Sequence, residues 1–348
     1  MKKAVFAGKL QIGGGASVSV QSMTNTRTED VGSTLAQIRQ LADAGCDLVR
    51  VSVYNEDCVK AVRELVDGSP VPLCADIHFD ARLAVGAVEN GIAKLRINPG
   101  NIGGEERVRY VADCLKRHHI PVRIGVNTGS IEKDILAAHG GATAEGMCES
   151  ALRHARMLES AGFDDIVLSL KASDVRLTVE AYRMIDRLCG YPLHVGVTEA
   201  GLPGEGTVKS AIGIGSLLLD GIGDTVRVSL TGDPVREPQA ALEILRALGL
   251  RRGIRWTSCP TCGRTRVDVE KIAREMRDAL SDVQEDLSVA VMGCVVNGPG
   301  EARDKDIALC GGENCAALYI KGEYARTLRG NITAEAVRAV REYLHDKG

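Results

Sequence analysis

The sequence has 348 residues, and because one hydrophobic core seldom grows beyond about 300 residues, two domains are expected. Hydrophobic residues at 45% and charged residues at 26% exclude a disordered or fibrous protein. The net charge of -3 leaves no overall positive charge to hold a polyanion, so nucleic acid is not an expected partner. No apolar stretch is long enough to span a bilayer or to serve as an export signal, which predicts a cytoplasmic protein without a membrane partner.

Short apolar runs rich in β-branched residues alternate with amphipathic stretches through the first 250 residues. The strands are predicted at 17–23, 47–53, 72–78, 94–98, 121–127, 165–171, 192–199 and 225–230. Helices are predicted near 30–44, 55–66, 80–90, 104–118, 145–161, 173–189, 207–220 and 236–248. Eight such units predict an α/β fold with a (β/α)8 TIM barrel over residues 1–250, and a doubly wound open sheet is the main rival.

Polar residues alternate with aliphatic ones inside these strands, which favours the barrel because one set of side chains then faces the interior. In residues 49–53 the valines alternate with Arg50 and Ser52, and Leu95 and Ile97 alternate with Arg96 and Asn98. The same division assigns further polar residues to the inner face: Asp76, His78, Arg123, Asn127, Lys171, His194, Thr198, Arg227 and Ser229. They concentrate toward the C-terminal strand ends, where the active sites of TIM barrels lie.

Four cations from different strands would meet at this barrel mouth: Arg50, Arg96, Arg123 and Lys171. Like charges in a low-dielectric mouth repel one another unless they are neutralised, and Asp76 and Glu199 supply only part of the opposite charge. Because arginine forks match phosphate oxygens, a diphosphate is the expected ligand. Any single arginine is explained more simply by a structural ion pair, but four in register favour an anion site. His78, beside Asp76, is a candidate for proton transfer or hydrogen bonding.

The pattern changes after residue 250 to that of a compact α+β module, so a second domain is predicted over residues 251–348. The charged segment 251–253 is the expected linker. Helices are predicted near 266–280 and 333–346, and strands near 287–293, 306–310 and 316–321.

Cysteines of the second domain have the spacing of a metal site. Eleven cysteines in a chain without an export signal argue against a disulfide framework. Cys259 and Cys262 have the Cys-x2-Cys spacing that soft metals use, and Cys294 begins a sequence whose Asn-Gly and Pro-Gly steps predict a tight turn toward Glu301. Three thiolates and a carboxylate could hold an iron–sulfur cluster that is open to substrate. A structural zinc ribbon completed by Cys310 and Cys315 is the competing interpretation.

Seven motifs in order along nearly the whole chain resemble those of the bacterial 4-hydroxy-3-methylbut-2-enyl diphosphate synthase family: Gln21–Thr26, Ala75–Phe79, Leu95–Gly103, Lys171–Asp174, Val197–Gly201, Cys259–Cys262 and Gly293–Glu301. The resemblance implies an oxidoreductase with one 4Fe-4S cluster per chain. It would convert 2-C-methyl-D-erythritol 2,4-cyclodiphosphate to (E)-4-hydroxy-3-methylbut-2-enyl diphosphate by two-electron reductive ring opening and loss of water, in non-mevalonate isoprenoid biosynthesis. Ferredoxin or flavodoxin would donate the electrons. The resemblance also implies a head-to-tail homodimer in which the cluster domain of one subunit closes the barrel of another.

The same resemblance implies roles for individual residues. The cluster ligands would be Cys259, Cys262, Cys294 and Glu301, of which Glu301 also counts as catalytic. The diphosphate cradle would consist of Arg50, Arg96, Arg123, Lys171 and Ser229, assisted by His78, Asn127 and Thr198. Glu199 would lie near the ring opening and proton delivery, with Asp76 beside it. Cys310 and Cys315 depart from the family pattern and could compete as ligands.

Two further hypotheses come from other classes of function. One is a barrel aldolase or lyase for a phosphorylated substrate, in which Lys171 forms a Schiff base and zinc is structural. The other is a non-catalytic zinc-ribbon binding module, against which the polar barrel mouth and the acidic net charge argue.

Overall fold

A computed structural model describes residues 2–347, apart from the side chains at positions 99 and 100. The chain divides into two compact units, Met1–Leu250 and Arg251–Gly348. Within the described residues, no helix is both long and apolar enough to cross a bilayer.

Eight parallel strands of the first unit form the barrel predicted from the sequence. They are β3 (Ser19–Met23), β4 (Leu48–Ser52), β5 (Leu73–Asp76), β6 (Lys94–Ile97), β7 (Val122–Asn127), β8 (Ile166–Lys171), β9 (His194–Val195) and β10 (Thr225–Val226). The sheet order is β8-β7-β6-β5-β4-β3-β10-β9, and a parallel bridge between Leu168 and Leu193 joins its two ends. This closure confirms the TIM barrel and excludes the doubly wound sheet.

Helices follow the barrel strands at the predicted places. The eight long ones are α1 (Val31–Asp43), α2 (Glu56–Gly68), α3 (Ala81–Glu89), α5 (Glu105–His118), α7 (Ala144–Ser160), α8 (Val175–Leu188), α9 (Glu205–Leu219) and α10 (Arg236–Ala247). Side chains of Asp30, Asn55 and Asp174 accept hydrogen bonds from backbone N–H groups of the first turns of α1, α2 and α8, which fixes where these helices begin. The short helices α4 (Pro99–Ile102) and α6 (Lys133–Ala138) lie in loops at the C-terminal strand ends and were not predicted.

A hairpin of β1 (Val5–Ala7) and β2 (Leu10–Ile12) precedes the barrel and was also not predicted. Its buried side chains, Val5, Ala7 and Ile12, pack against interior residues of three barrel strands: Leu48, Cys74 and Val167. These residues lie at or near the beginnings of their strands. The hairpin therefore closes the N-terminal end of the barrel with apolar packing, which leaves the polar interior facing the C-terminal end.

The second unit is a five-stranded sheet in the order β11-β12-β13-β14-β15. Its strands are β11 (Ile254–Ser258), β12 (Leu287–Met292), β13 (Ile307–Gly312), β14 (Cys315–Ile320) and β15 (Glu323–Arg329), of which the first three are parallel and the last two antiparallel. Helices α11 (Val269–Ala279) and α13 (Ile332–Lys347) contribute to one apolar core with the sheet, and α12 (Gly298–Ala302) connects β12 to β13. The predictions located three strands and both long helices but missed β11 and β15.

Candidate active site

Two glycines, Gly125 on β7 and Gly196 directly after β9, give the cationic side chains room inside the barrel. A Cβ atom at Gly125, between Arg123 and Asn127 on the inner face of β7, would lie 2.9 Å from Arg96 Nε. A Cβ atom at Gly196 would lie 2.9 Å from Lys171 Nζ. The absence of side chains at these positions therefore lets Arg96 and Lys171 lie against the barrel wall.

Asp76 is the centre of a buried ion-pair network at the C-terminal ends of β4, β5 and β6. Its Oδ1 atom is 3.0 Å from Arg96 Nη1, and its Oδ2 atom is 3.7 Å from Arg50 Nε and 3.5 Å from His78 Nε2. Burial alone would raise the pKa of this carboxyl, but Arg50, His78 and Arg96 hold the pKa well below its usual range. Asp76 is therefore an anion at every physiological pH.

Deeper in the barrel lie basic groups that form no ion pair with any described carboxylate: Lys94, Arg123 and Lys171. Arg123 and Lys94 are buried, and among the described residues Arg123 Nε and Nη1 and Lys94 Nζ have no hydrogen-bond partner. Burial lowers the pKa of Arg123 to about 9 and that of Lys94 to about 7. Burial, together with Arg123 and Arg227, also lowers the pKa of Lys171 well below its usual value. Such groups are costly to hold in a dry interior unless an anion compensates them.

His194 lies among these buried cations and has no exposed surface. Neither ring nitrogen has a hydrogen-bond partner among the described residues, and burial, followed by the nearby Lys171, lowers its pKa well below the usual value. The ring is therefore neutral and faces the interior, as the strand alternation predicts.

Arg227 and Glu237 form a second buried ion pair at the barrel mouth. Arg227 Nη2 lies 3.2 Å from Glu237 Oε1, and Glu237, on the first turn of α10, also accepts a hydrogen bond of 2.8 Å from Ser22 Oγ. Sequence reasoning missed Glu237 and did not single out Lys94. The strand alternation could have found Lys94, because it lies two residues before Arg96 on the same face.

The described residues thus place six cations but only two carboxylates in the barrel interior. The cations are Arg50, Lys94, Arg96, Arg123, Lys171 and Arg227, and the carboxylates are Asp76 and Glu237. This excess of basic groups over carboxylates is the kind of surface that favours an anionic ligand.

The remaining predicted residues lie at the rim of the barrel. Asn127 ends β7 beside Lys171 in the sheet register, and Thr198 and Ser229 are half-buried beyond β9 and β10. Glu199 is exposed and forms no ion pair within the described part of the chain, so Glu237 supplies the second neutralising carboxylate. The backbone of Glu199 has a φ of 51°, a left-handed conformation that glutamate rarely adopts and that strained functional loops often contain.

A separate cavity of about 450 Å³ in the second unit brings the predicted cluster ligands together. Cys259 follows β11, Cys294 follows β12, and both strands are parallel neighbours in the sheet. Cys262 and Glu301 complete the potential donors that line the cavity. The predicted turn before Glu301 is the short helix α12, whose Glu301 N–H donates to the carbonyl of Asn297.

Hydrogen bonds from neighbouring groups reach the sulfur atoms of this cavity. The backbone N–H and the guanidinium of Arg264 lower the pKa of Cys262, and the backbone N–H groups of Asn297 and Val296 lower the pKa of Cys294. The Sγ atom of Cys259 accepts a hydrogen bond of 3.1 Å from the backbone N–H of Gly293. Since thiolates are the metal-binding form of cysteine, the donor set suits a soft metal.

The arrangement fits a cluster better than a single ion. Among residues 2–347, no three His, Cys, Asp or Glu side chains converge closely enough to hold one metal ion. A zinc ribbon requires four thiolates around one ion, whereas the ligands of a 4Fe-4S cluster surround a larger body and each contact a different iron. Three thiols and a carboxylate spread around one cavity match the second case.

Cys310 and Cys315 do not line this cavity. Cys310 is buried against Ala290, Met292 and Ala302, and burial raises its pKa to about 11. A Cβ atom added at Gly298 would lie 2.5 Å from its Sγ atom, so Cys310 is packed tightly beneath α12. Its contacts are those of a core side chain.

Family models match both units of the chain. The family model described as the GcpE TIM-barrel domain matches residues 2–242, and that described as the GcpE protein C-terminal domain matches residues 255–343. Among solved structures, dihydropteroate synthase from Vibrio fischeri ES114 is 12% identical, with a TM-score of 0.52 over 71% of this chain and 98% of that chain. At this identity the likeness concerns only the barrel fold.

Similar sequences extend over nearly the full chain. A protein of Ruminiclostridium cellulolyticum named 4-hydroxy-3-methylbut-2-en-1-yl diphosphate synthase (flavodoxin) is 52% identical over 98% of this chain and 97% of its own length. A protein of the same name from Nitratidesulfovibrio vulgaris is 54% identical over 94% of this chain and 85% of its own length. This chain therefore belongs to the GcpE family of 4-hydroxy-3-methylbut-2-en-1-yl diphosphate synthases.

Proposed function

We propose that this protein reduces 2-C-methyl-D-erythritol 2,4-cyclodiphosphate to (E)-4-hydroxy-3-methylbut-2-enyl diphosphate and water in the cytoplasm, as a step of non-mevalonate isoprenoid biosynthesis. One observation carries the proposal. The same chain contains a barrel mouth with an uncompensated excess of cations and a cavity lined by three thiols and a carboxylate. The first suits a diphosphate, and the second suits a redox cluster.

The barrel cations bind the diphosphate in this proposal. Arg96 and Arg123 present buried guanidinium atoms that lack partners among the described residues. Lys171 lies on β8, the strand next to that of Arg123, and Arg50 on β4 shares the carboxylate of Asp76 with Arg96. Asn127, Thr198 and Ser229 at the rim provide hydrogen bonds to the organic part of the substrate or to phosphate oxygens. Because these donors are fixed on strands before the substrate arrives, little reorganisation is needed during the reaction.

Asp76 and His78 orient the cradle rather than supply protons. The low pKa of Asp76 keeps it ionised, so its proposed role is to hold the guanidinium of Arg96. His78 Nε2 lies 3.2 Å from Arg96 Nη1 and adds a polar contact to the same group. The reaction consumes a proton, and the exposed Glu199 on its strained loop is the proposed group that delivers it.

Cys259, Cys262, Cys294 and Glu301 are the proposed holders of one 4Fe-4S cluster. The pocket lining and the lowered pKa values of Cys262 and Cys294 support this assignment. When bound, the cluster would supply electrons to the substrate one at a time. Glu301, an oxygen donor among thiolates, would make one position of the site the easiest to open to substrate, which is the basis for counting it as catalytic.

We also propose that flavodoxin or ferredoxin donates the electrons and that the protein is a head-to-tail homodimer. The names of the similar proteins specify flavodoxin. The dimer can be tested by mixing an inactive Arg96→Ala chain with an inactive Cys294→Ser chain. If each active site combines a barrel and a cluster domain from different subunits, the mixed dimer contains one intact site and the mixture regains activity. If each site lies within one chain, every site carries one of the two substitutions and the mixture stays inactive.

A Schiff-base lyase is the alternative that one observation favours, because the lowered pKa of Lys171 would give it a neutral, nucleophilic amine. Borohydride treatment with a phosphorylated carbonyl substrate would trap such an adduct. Family membership supports the reductive reaction instead, for which the same lysine contributes to anion binding.

The test of the proposed function is an anaerobic preparation analysed for iron and zinc, with absorption and electron paramagnetic resonance spectra before and after reduction. About four irons per chain and a cluster signal after reduction are expected. A colourless protein with stoichiometric zinc would overturn the proposal and would favour the Schiff-base lyase instead.

A further inference from the structure

A second groove opens in the second unit between β11 and α11, with a volume of about 610 Å³. Its lining includes Trp256 on β11 and Arg274 and Arg277 on α11. Cys259 lines both this β11–α11 groove and the cysteine cavity. A molecule seated in the groove would therefore contact a residue whose thiol is a proposed cluster ligand.

Trp256 and Arg277 form the most distinctive contact of the groove. Trp256 is the only tryptophan of the chain, and it is half-buried in the groove wall. The guanidinium carbon of the exposed Arg277 lies 5.9 Å from the centre of the indole ring, within the range of a cation–π contact. Tryptophan and arginine are the residues that most often supply the binding energy of protein interfaces. The groove thus presents the side chains typical of a docking site.

The segment around the groove is basic although the whole chain is acidic. Residues 251–277 contain eight arginines and lysines but three acidic residues, a net charge of +5, whereas the whole chain carries -3. Opposite charges on two proteins steer their encounter and fix its orientation. A local positive surface on a negatively charged protein therefore fits an acidic protein face.

The excess of positive charge lies beside the groove rather than inside it. Within the groove the two arginines of α11 are balanced by Glu270 and Asp278. On the neighbouring basic loop (residues 263–267), Arg264 and Arg266 are exposed and form no ion pair with a described carboxylate. These two arginines do not line the groove. A small ligand confined to the groove would leave them unused, whereas a protein surface can cover the groove and the loop together.

We propose that the β11–α11 groove and the basic loop are the docking surface for the acidic protein that delivers electrons to the cluster. The acidic face of this carrier meets Arg264, Arg266 and Arg277, and its redox group lies against Trp256 and Cys259. In each encounter the reduced carrier loses one electron, the cluster site gains it, and the oxidised carrier departs. Two encounters supply the two electrons of the reductive ring opening.

The size and charge of this surface suit a transient complex. Electron-transfer encounters bury less than about 1,200 Å² in total, which one groove and one loop can provide. Attraction between opposite charges speeds the encounter, and salt screens this attraction. Docking at this surface is therefore expected to be fast, weak and strongly dependent on ionic strength.

This inference rests on the proposed function and assigns the surface that its electron donor uses. The first experiment is fluorine NMR of the cluster-loaded protein prepared with fluorotryptophan, which gives one resonance because Trp256 is the only tryptophan. Unlabelled, oxidised flavodoxin is expected to shift or broaden this resonance at low salt but not at about 1 M salt, where the Debye length is about 3 Å. A shift of equal size with free flavin mononucleotide would overturn the proposal and assign the groove to a small ligand.

The second experiment measures flavodoxin affinity by calorimetry at low salt. Arg266→Glu and Arg277→Glu should each weaken binding by about 10-fold, because charge reversal removes an attraction and adds a repulsion. Arg329→Glu is the matched control, since it makes the same change of charge on β15, at the opposite edge of the same sheet. The control should bind like the wild type. Equal affinity of all four proteins, or equal loss in the control, would overturn the proposal.

Turnover with two reductants separates docking from chemistry. Dithionite is a small reductant that needs no docking surface, so Arg277→Glu and the wild type should turn over equally with it and contain equal iron. With limiting flavodoxin the variant should be about 10-fold slower. An equal loss with both reductants would contradict a docking role for Arg277. If the wild type fails with dithionite as well, the proposed reaction is wrong, whereas docking is still decided by the binding measurements.

Discussion

The barrel mouth and the cysteine cavity differ in the kind of backbone that carries their functional side chains. The barrel mouth places charged side chains on buried strands, where the sheet register fixes them. The cysteine cavity places its donors on loops after β11 and β12 and on the short helix α12, where Cys262 and Glu301 are exposed. The first site holds its charged groups in place before a ligand binds, at a cost in folding stability, whereas the donors of the second site lie on loops and a short helix with more exposure to solvent.

This difference predicts that the two sites respond to mutation independently. Changes in the barrel should alter anion affinity and the free energy of unfolding together. Changes in the cysteine cavity should alter metal retention and leave barrel affinity unchanged.

Cys294→Ser should lower turnover of the cyclodiphosphate by at least about 100-fold, since even the loss of a group that supports a metal ligand costs about 10- to 100-fold. Iron per chain should fall with it, while calorimetry should show unchanged affinity for inorganic pyrophosphate. Cys315→Ser is the matched control, because this thiol lies in the same unit but outside the cavity. Loss of metal from the control would restore the zinc-ribbon interpretation.

Arg96→Met should weaken pyrophosphate binding by about 100-fold, because removing one buried partner of a charged contact costs about 2 to 5 kcal/mol. Iron content should not change. Arg63→Met, on the exposed face of α2, removes an arginine paired only with Asp67 and should bind like the wild type. Equal affinity of both variants and the wild type would show that the barrel mouth is not the anion site.

Asp76→Asn should lower the free energy of unfolding by about 3 kcal/mol, because it leaves the buried Arg50 and Arg96 without their carboxylate. Pyrophosphate should then raise the melting temperature of the variant more than that of the wild type, since the ligand replaces the missing charge. Scanning calorimetry with and without pyrophosphate measures both effects. Unchanged stability would contradict the view that the buried Arg50 and Arg96 depend on this carboxylate for their compensation.

Lys94 should make stability depend on pH near neutrality. Its folded-state pKa of about 7 lies below that of an unfolded lysine, so the unfolded chain binds more protons and stability rises as pH increases from 7 to 8.5. The rise attributable to Lys94 is about 1 to 2 kcal/mol. Denaturant titrations under anaerobic conditions should show this rise in the wild type relative to Lys94→Met. If the free energy of unfolding changed with pH equally in the wild type and in Lys94→Met, the charge of Lys94 would already be compensated in the folded protein.

The sequence predicted the barrel well because its strands carry a local pattern. Alternation of aliphatic and polar residues located Arg96 and Arg123 on the inner face, and the same pattern contained Lys94, which was not singled out. Glu237 could not be predicted in this way, because its contact with Arg227 depends on how α10 packs over β10. The sequence of neither segment alone predicts which residue of the other segment it will contact.

The second unit was harder to predict for related reasons. The segment of β15 is mostly exposed and contains charged residues without alternation, so it lacks a strand pattern. The Cys-x2-Cys spacing left zinc and iron–sulfur interpretations open. The burial of Cys310 beneath Gly298 argues against a fourth thiolate from this residue, and sequence spacing does not reveal such a contact between distant segments.

Phosphorus NMR can follow the reduction of the cyclic diphosphate by this protein. The anaerobically reconstituted protein would be mixed with 2-C-methyl-D-erythritol 2,4-cyclodiphosphate and reduced flavodoxin, and the phosphorus resonances followed with time. The account predicts that the cyclic diphosphate signals are replaced by those of a linear diphosphate, and that this requires both reductant and cluster. An unchanged cyclic substrate in the presence of fully loaded, reducible protein would contradict it.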